Sequence, residues 1–113
     1  MKFALSKAQR FGWQGLKGRA YNSKKDFRNA SAAYFEVSTH HGRVKSKLSD
    51  RVYYILEGQG RFVINNKSFP VRKTDVIIVP RKTPYDYFGR MKLFLVHVPA
   101  FDQEYEVNLE HHS

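Results

Sequence analysis

Three cations precede a tyrosine-rich run: Lys45, Lys47 and Arg51 lead into Val52-Tyr53-Tyr54-Ile55-Leu56. In an extended chain alternate residues share a face, so Lys45 and Lys47 lie together. Arg51 and Tyr53 join them if the phase holds across residues 48–50. Such a cluster would form a subsite for phosphate or carboxylate, with Arg51 offering two parallel hydrogen bonds. On a solvated loop the same cations would do no more than hydrate it, or would pair with Asp50, Asp86 or Glu36.

Two more groups carry chemistry. Tyr85 and Tyr87 alternate in Pro84-Tyr-Asp-Tyr-Phe-Gly89 and are expected on one face, where a phenol can pack, donate a hydrogen bond or act as an acid beside cations. His97 sits on the apolar background of Leu93 to Phe101, suited either to a hydrogen-bonded core position or to a general base. His40 and His41 are adjacent, so in a strand they point to opposite faces and cannot chelate one ion together; one of them could reach a metal with His97, but no acidic co-ligand is evident and His40-His41-Gly42 reads as a turn. Glu57 to Gly60 is also expected to be a turn, since no helix follows to make its Gly-x-Gly an anion site.

The elements that must position these residues are strands. Residues 32–37, 52–56, 61–65, 76–79 and 92–98 are short, β-branched and aromatic, and most are bounded by Gly, Pro, Asn or Asp. Asn65-Asn66-Lys67 suits a hairpin, because Asn tolerates positive φ. No window carries an amphipathic helix beyond one short turn near residues 23–27. An all-β sandwich or barrel follows. Residues 52–56 and 76–79 are apolar on both faces, so the side away from the barrel interior needs a cover, and a homodimer built through sheet faces is expected.

At 113 residues the chain supports one core. The expected organisation is an irregular arm over 1–31, docked on the barrel or a partner through Phe3, Phe11, Trp13 and Tyr21, a β-barrel over 32–103 and a tail over 104–113. Leu109-Glu-His-His-Ser113 resembles the start of a cloning tag and is left out of the fold. Without cysteine there are no disulfides or thiolate metal sites. No stretch reads as a signal peptide or a membrane span, so a cytoplasmic location is expected.

Residues 1–51 hold twelve Lys/Arg against three Asp/Glu, and residues 52–113 hold eight against seven. The basicity, net +9, therefore belongs to the first half. It would attract nucleic acid, but no base-reading motif accompanies it, and nucleic acid ranks below a small anion as a partner.

Val52 to Phe88, followed by Leu93 to Asp102, resembles the β-barrel of the cupin superfamily. There a tyrosine-rich strand ends in Leu-Glu-Gly, then come a hairpin, a Gly-Asp segment with a proline, and a histidine. The resemblance implies a small jelly-roll barrel, often dimeric, with a pocket that usually holds a divalent metal. Taking Gly58 as the motif glycine puts Arg51 at the family's glutamate, and either Lys45 and Lys47 or Val44 and Ser46 at its two histidines. Thr74-Asp75 stands for Gly-Asp, Pro80 matches, and Tyr85 takes the last histidine's place. Ammonium and guanidinium groups have no lone pair for a metal, so no metal cofactor is expected.

The expected function is a metal-free cupin that binds a small anionic molecule, such as a phosphorylated or nucleotide-linked sugar or a carboxylate, through Lys45, Lys47, Arg51, Tyr53 and Tyr85. The alternative is a metal-independent isomerase or epimerase, with His97 as base and Tyr85 or Tyr87 as acid. A nucleic-acid-binding barrel ranks below both.

Overall fold

The computed structural model describes residues 1–110. Nine strands form one antiparallel, strongly curled sheet: β1 (Gln9–Trp13), β2 (Leu16–Ala20), β3 (Ser31–Val37), β4 (Val44–Ser46), β5 (Asp50–Ile64), β6 (Lys67–Arg72), β7 (Val76–Val79), β8 (Tyr85–Val98) and β9 (Glu106–Asn108). The two long strands, β5 and β8, form its spine. They pair from Asp50↔Val98 to Ile64↔Tyr85. The first half of β5 also pairs with β7 and the second half with β6, while β3 flanks the second half of β8.

The expected turn at Glu57 to Gly60 is instead the middle of β5. The register steps from Ile55↔Leu93 to Glu57↔Lys92, leaving Leu56 as the extra residue of a β-bulge that bends the strand without breaking its ladder. Gly58 completes the bend at φ +85°, where a Cβ would run into the Arg90 carbonyl. Residues 52–56 and 61–65 therefore belong to one strand. The Asn65-Asn66 hairpin is as expected: both residues have positive φ, and Ile64 faces Lys67 across a two-residue turn.

The terminal segments are more regular than their composition suggests. β1 and β2 form a hairpin that extends the sheet through β3, with Leu16↔Val37 and Ala20↔Ala33 in register. β9 pairs with β4, with Ser46↔Glu106 in register. Leu109 donates its backbone N–H to the Arg43 carbonyl, so the tag-like stretch begins on a hydrogen-bonded residue; its last residues, 111–113, lie outside the described ones.

The core lies on the concave side. Alternate residues of β3, β5 and β8 turn inward, and Tyr53, Ile55, Phe62, Tyr87 and Leu93 are fully buried. Each such side chain contributes about 1.5–3 kcal/mol of transfer free energy. All five lie on the paired strands β5 and β8 that also carry the site, so the same packing that stabilises the barrel fixes those side chains.

Candidate functional site

The concave face opens into a cavity of about 1880 Å³, lined by Arg51, Tyr53, His41, His97 and Glu106 together with Phe11, Trp13 and Phe35 from the N-terminal half. β5 supplies Arg51 and Tyr53, and β8 supplies Tyr85, Tyr87 and His97. Inward positions at every second residue place all five on one wall, with Arg51 directly opposite His97.

Lys45 and Lys47 do not join them. The Ser46 Oγ accepts hydrogen bonds from the backbone N–H groups of Leu48 (3.2 Å) and Ser49 (2.9 Å), closing a tight turn. Ser46 and Ser49 are both buried, three residues apart, so the turn shifts the strand phase by one. Val44 lines the cavity and Ser46 is buried, whereas Lys45 is half-buried on the other pleat and Lys47 is exposed. Of the two registers, Val44 and Ser46 are the inward pair, and Arg51 is the only one of the three cations in the wall.

Arg51 is not an unpaired charge. Its Nη2 donates to the Glu106 carboxylate of β9, and its Nη1 donates to the Tyr85 hydroxyl. The Tyr85 and Tyr53 hydroxyls are 2.6 Å apart. The Tyr85 oxygen accepts from Arg51, and either phenol can donate in its contact with Tyr53; where Tyr85 donates, the Tyr53 proton is left for the cavity that Tyr53 lines. Burial opposes the Arg51 charge, but the oxygens of Tyr85, Tyr53 and Glu106 outweigh it and hold its pKa above the usual value. Burial raises all three phenols. Tyr53 and Tyr87 rise well above 10, while Arg51 and the Tyr53 hydrogen bond restrain Tyr85.

His41 was missed by sequence reasoning, which read its segment as a turn. The loop is pinned to the barrel at several points. The Asp86 carboxylate accepts from the N–H groups of Gly42 (2.8 Å) and Tyr87 (2.7 Å), and the His41 N–H donates to the Tyr87 carbonyl. The Trp13 indole N–H donates to the His41 carbonyl at 3.1 Å. The imidazole stacks on Tyr87, with ring centres 4.7 Å apart, and presents its face to Tyr85 at 5.7 Å.

The His41 Nδ1 is 2.8 Å from the Gly42 carbonyl, which can only accept, so the proton is on Nδ1 and Nε2 keeps a lone pair. Burial, aided by the Arg51 charge, lowers its pKa to about 4 against the pull of the Gly42 carbonyl. Burial lowers His97 well below 6.5, again helped by Arg51. Both imidazoles are neutral at neutral pH. His40 points the other way, stacked on Phe88 and exposed.

Three buried side-chain atoms have no hydrogen-bond partner among the described residues: Arg51 Nε, Tyr87 Oη and His97 Nδ1. All belong to this cluster. A divalent metal does not fit it, because Glu106 is engaged by Arg51, whose fixed positive charge sits in the same wall and leaves only imidazole nitrogens to coordinate. Among the described residues no group of three or more His, Asp or Glu could hold a metal ion.

The curled antiparallel sheet and its inward site define a cupin fold, and solved cupins share it. Oxalate decarboxylase from Bacillus subtilis superposes with a TM-score of 0.82 at 16% identity, covering 95% of this chain and 31% of that one. A nearer likeness is Pac13 from Streptomyces, described as a unique nucleoside dehydratase: TM-score 0.90, 29% identity, covering 100% of this chain and 93% of that one. Variants of Pac13 with one histidine changed to glutamine, or one tyrosine to phenylalanine, have been solved with uridine. In sequence, 41 residues are 46% identical to an uncharacterised protein of Methanocaldococcus jannaschii, a match spanning about a third of each chain, 36% and 33%. No family model matches the chain.

Proposed function

We propose that this chain is a metal-independent cupin that takes a nucleoside-like small molecule in its barrel and moves protons on it, with His41 as base and Tyr53 as acid. The observation that carries the reading is the pair of orphaned atoms Arg51 Nε and His97 Nδ1 on residues that line one cavity, with the orphaned Tyr87 Oη packed behind them. Buried polar groups without partners cost about 1–3 kcal/mol each, so they call for a polar ligand that supplies partners at several points. The aromatic lining of Phe11, Trp13 and Phe35 suits a planar base. Pac13 adds support, because it is described as a nucleoside dehydratase and its variants at one histidine and at tyrosines have been solved with uridine.

The chemistry that fits is elimination of water. The His41 Nε2 takes a proton from a carbon acidified by its neighbour. The C–H electrons form a C=C bond as the β C–O bond breaks, and the departing oxygen takes the Tyr53 proton and leaves as water. Tyr85 and Arg51 steady the resulting Tyr53 phenolate, and the proton on His41 returns to it after release. Arg51 is compensated by Glu106, so a neutral ligand suits the wall. A phosphate or carboxylate, the anion expected from the sequence, would have the unpaired Arg51 Nε as its contact.

The first test is thermal denaturation with uridine, other nucleosides, nucleotide-linked sugars and sugar phosphates, followed by NMR of incubated mixtures. Nucleosides should raise the Tm by mass action. His41→Gln and Tyr53→Phe should lose turnover while keeping that protection. No protection by any nucleoside, or full turnover in His41→Gln, would overturn the reading. Incorporation of solvent deuterium without loss of water would favour the epimerase alternative, for which the second neutral imidazole, His97, would be the other base.

A further inference from the structure

We infer that the β1–β2 hairpin belongs to the site, and that Trp13 is a positioning residue: it fixes the place of His41 in the cavity wall. This deepens, and rests on, the reading of His41 as the base. Core packing does not explain the hairpin. All five residues of β1 are exposed, and Trp13, the chain's one tryptophan, is 49% exposed at the cavity. A half-exposed indole can bond to water, yet the Trp13 N–H donates to the His41 carbonyl.

The glycines of the hairpin serve that contact. Trp13 and Leu16 face each other across Gln14-Gly15, and Gly15 turns at φ +90°. A Cβ on Gly15 would lie 2.2 Å from the Thr39 Oγ1, so only glycine lets the tip rest on the residue two before His41. The Gly15 carbonyl accepts from the Ser38 N–H at 2.9 Å and holds the tip there. A Cβ on Gly18 would strike the Phe11 ring at 2.3 Å; without one, Phe11 lies across the hairpin and meets Phe35 edge to face at 5.4 Å. Phe35 in turn stacks on the His41 imidazole at 6.3 Å.

His41 is thus held from two directions. β8 accepts its N–H at the Tyr87 carbonyl and stacks the Tyr87 ring on the imidazole. The hairpin donates to its carbonyl and sets the indole beside the ring, tilted 70° with centres 5.5 Å apart. In a cavity of about 1880 Å³ crowding does not fix a side chain, so these supports must. The precision matters, because misplacing a reacting group by about 1 Å costs on the order of 100-fold in rate.

NMR titration of the imidazole protons in the full chain tests this without any substrate. In the wild type His41 should take its proton near pH 4. Trp13→Phe, which removes the N–H and keeps a ring, should move that step upward toward the ordinary 6.5, and Trp13→Leu, which removes both, should move it further. Neither substitution touches Arg51, Glu110 or His40, the charges that act on His41. His97 is the control, since it faces Ser31 at one end of β3 whereas Leu16, opposite Trp13, faces Val37 at the other. It should stay neutral in all three proteins, with unchanged circular dichroism. On a nucleoside that turns over, Trp13→Phe should lower kcat roughly tenfold or more with KM nearly unchanged. Absence of turnover in the wild type would sink the base reading alone, because the titration does not depend on it. A His41 step unmoved in both variants, a His97 step that moves with it, or loss of the fold in Trp13→Phe would overturn the inference.

Discussion

A single buried imidazole shows how environment sets chemistry at the scale of one residue. His41 is neutral because burial and Arg51 lower its pKa to about 4, from 6.5. The unfolded chain takes up that proton near pH 6.5 and the folded chain only near 4, so the unfolded state binds more protons between them. His41 thus contributes stability that is fully present above pH 6.5 and is lost as the pH falls toward 4, a change on the order of 3 kcal/mol. Denaturant midpoints measured from pH 7 to pH 4 should fall across this window, and His41→Gln should make the curve less steep, the buried His97 keeping the remainder; an equally steep curve in the variant would assign the protons elsewhere. Glu106 is the residue whose loss should be felt most widely. Glu106→Gln leaves the buried Arg51 guanidinium without its counter-charge and should cost about 2 kcal/mol or more, read as a Tm lowered by several degrees.

Elements show which local rules the chain obeys and which it breaks. Asn65-Asn66 meets the demand for two positive φ angles with residues that tolerate it, and that hairpin was legible in the sequence. Thr74 does not meet the same demand: it has φ +77° in the turn between β6 and β7, where the cupin pattern has glycine. A β-branched residue there is strained by about 1–2 kcal/mol. Thr74→Gly should therefore raise the Tm by several degrees, measured by calorimetry, and an unchanged or lowered Tm would mean that the Thr74 side chain repays its strain. The corner at Glu57 to Gly60 was misread because a Gly-x-Gly between two apolar runs fits a turn and a bulged strand equally well. Only the facing run of β8, Gly89 to Leu93, decides for the strand.

At the scale of the molecule, charge is the conspicuous imbalance. A net +10 on a 113-residue chain repels itself, and salt screens that repulsion. Raising sodium chloride from about 20 mM to 200 mM should increase the Tm, whereas a decrease would show that ion pairs such as Arg51–Glu106 and Lys24–Asp102 outweigh the repulsion. No helix among the described residues is long and apolar enough to cross a membrane.

The strand pattern, the turn residues and the order of cupin-like segments were written in the sequence, since β-branched and aromatic runs bounded by Gly, Pro and Asn have few other ways to fold. The inward set of Arg51, Tyr53, Tyr85, Tyr87 and His97 was also legible, because alternation within one strand is a local property. Whether Lys45 and Lys47 belonged with them was not, because the Ser46 turn shifts the phase by one residue. His41 and Glu106 were beyond reach for a further reason. They come from a loop and from a strand near the chain's end, and only the closing of β9 on β4 and the pinning of the His40-His41-Gly42 segment to β8 bring a base and a counter-charge to the wall that β5 and β8 had built.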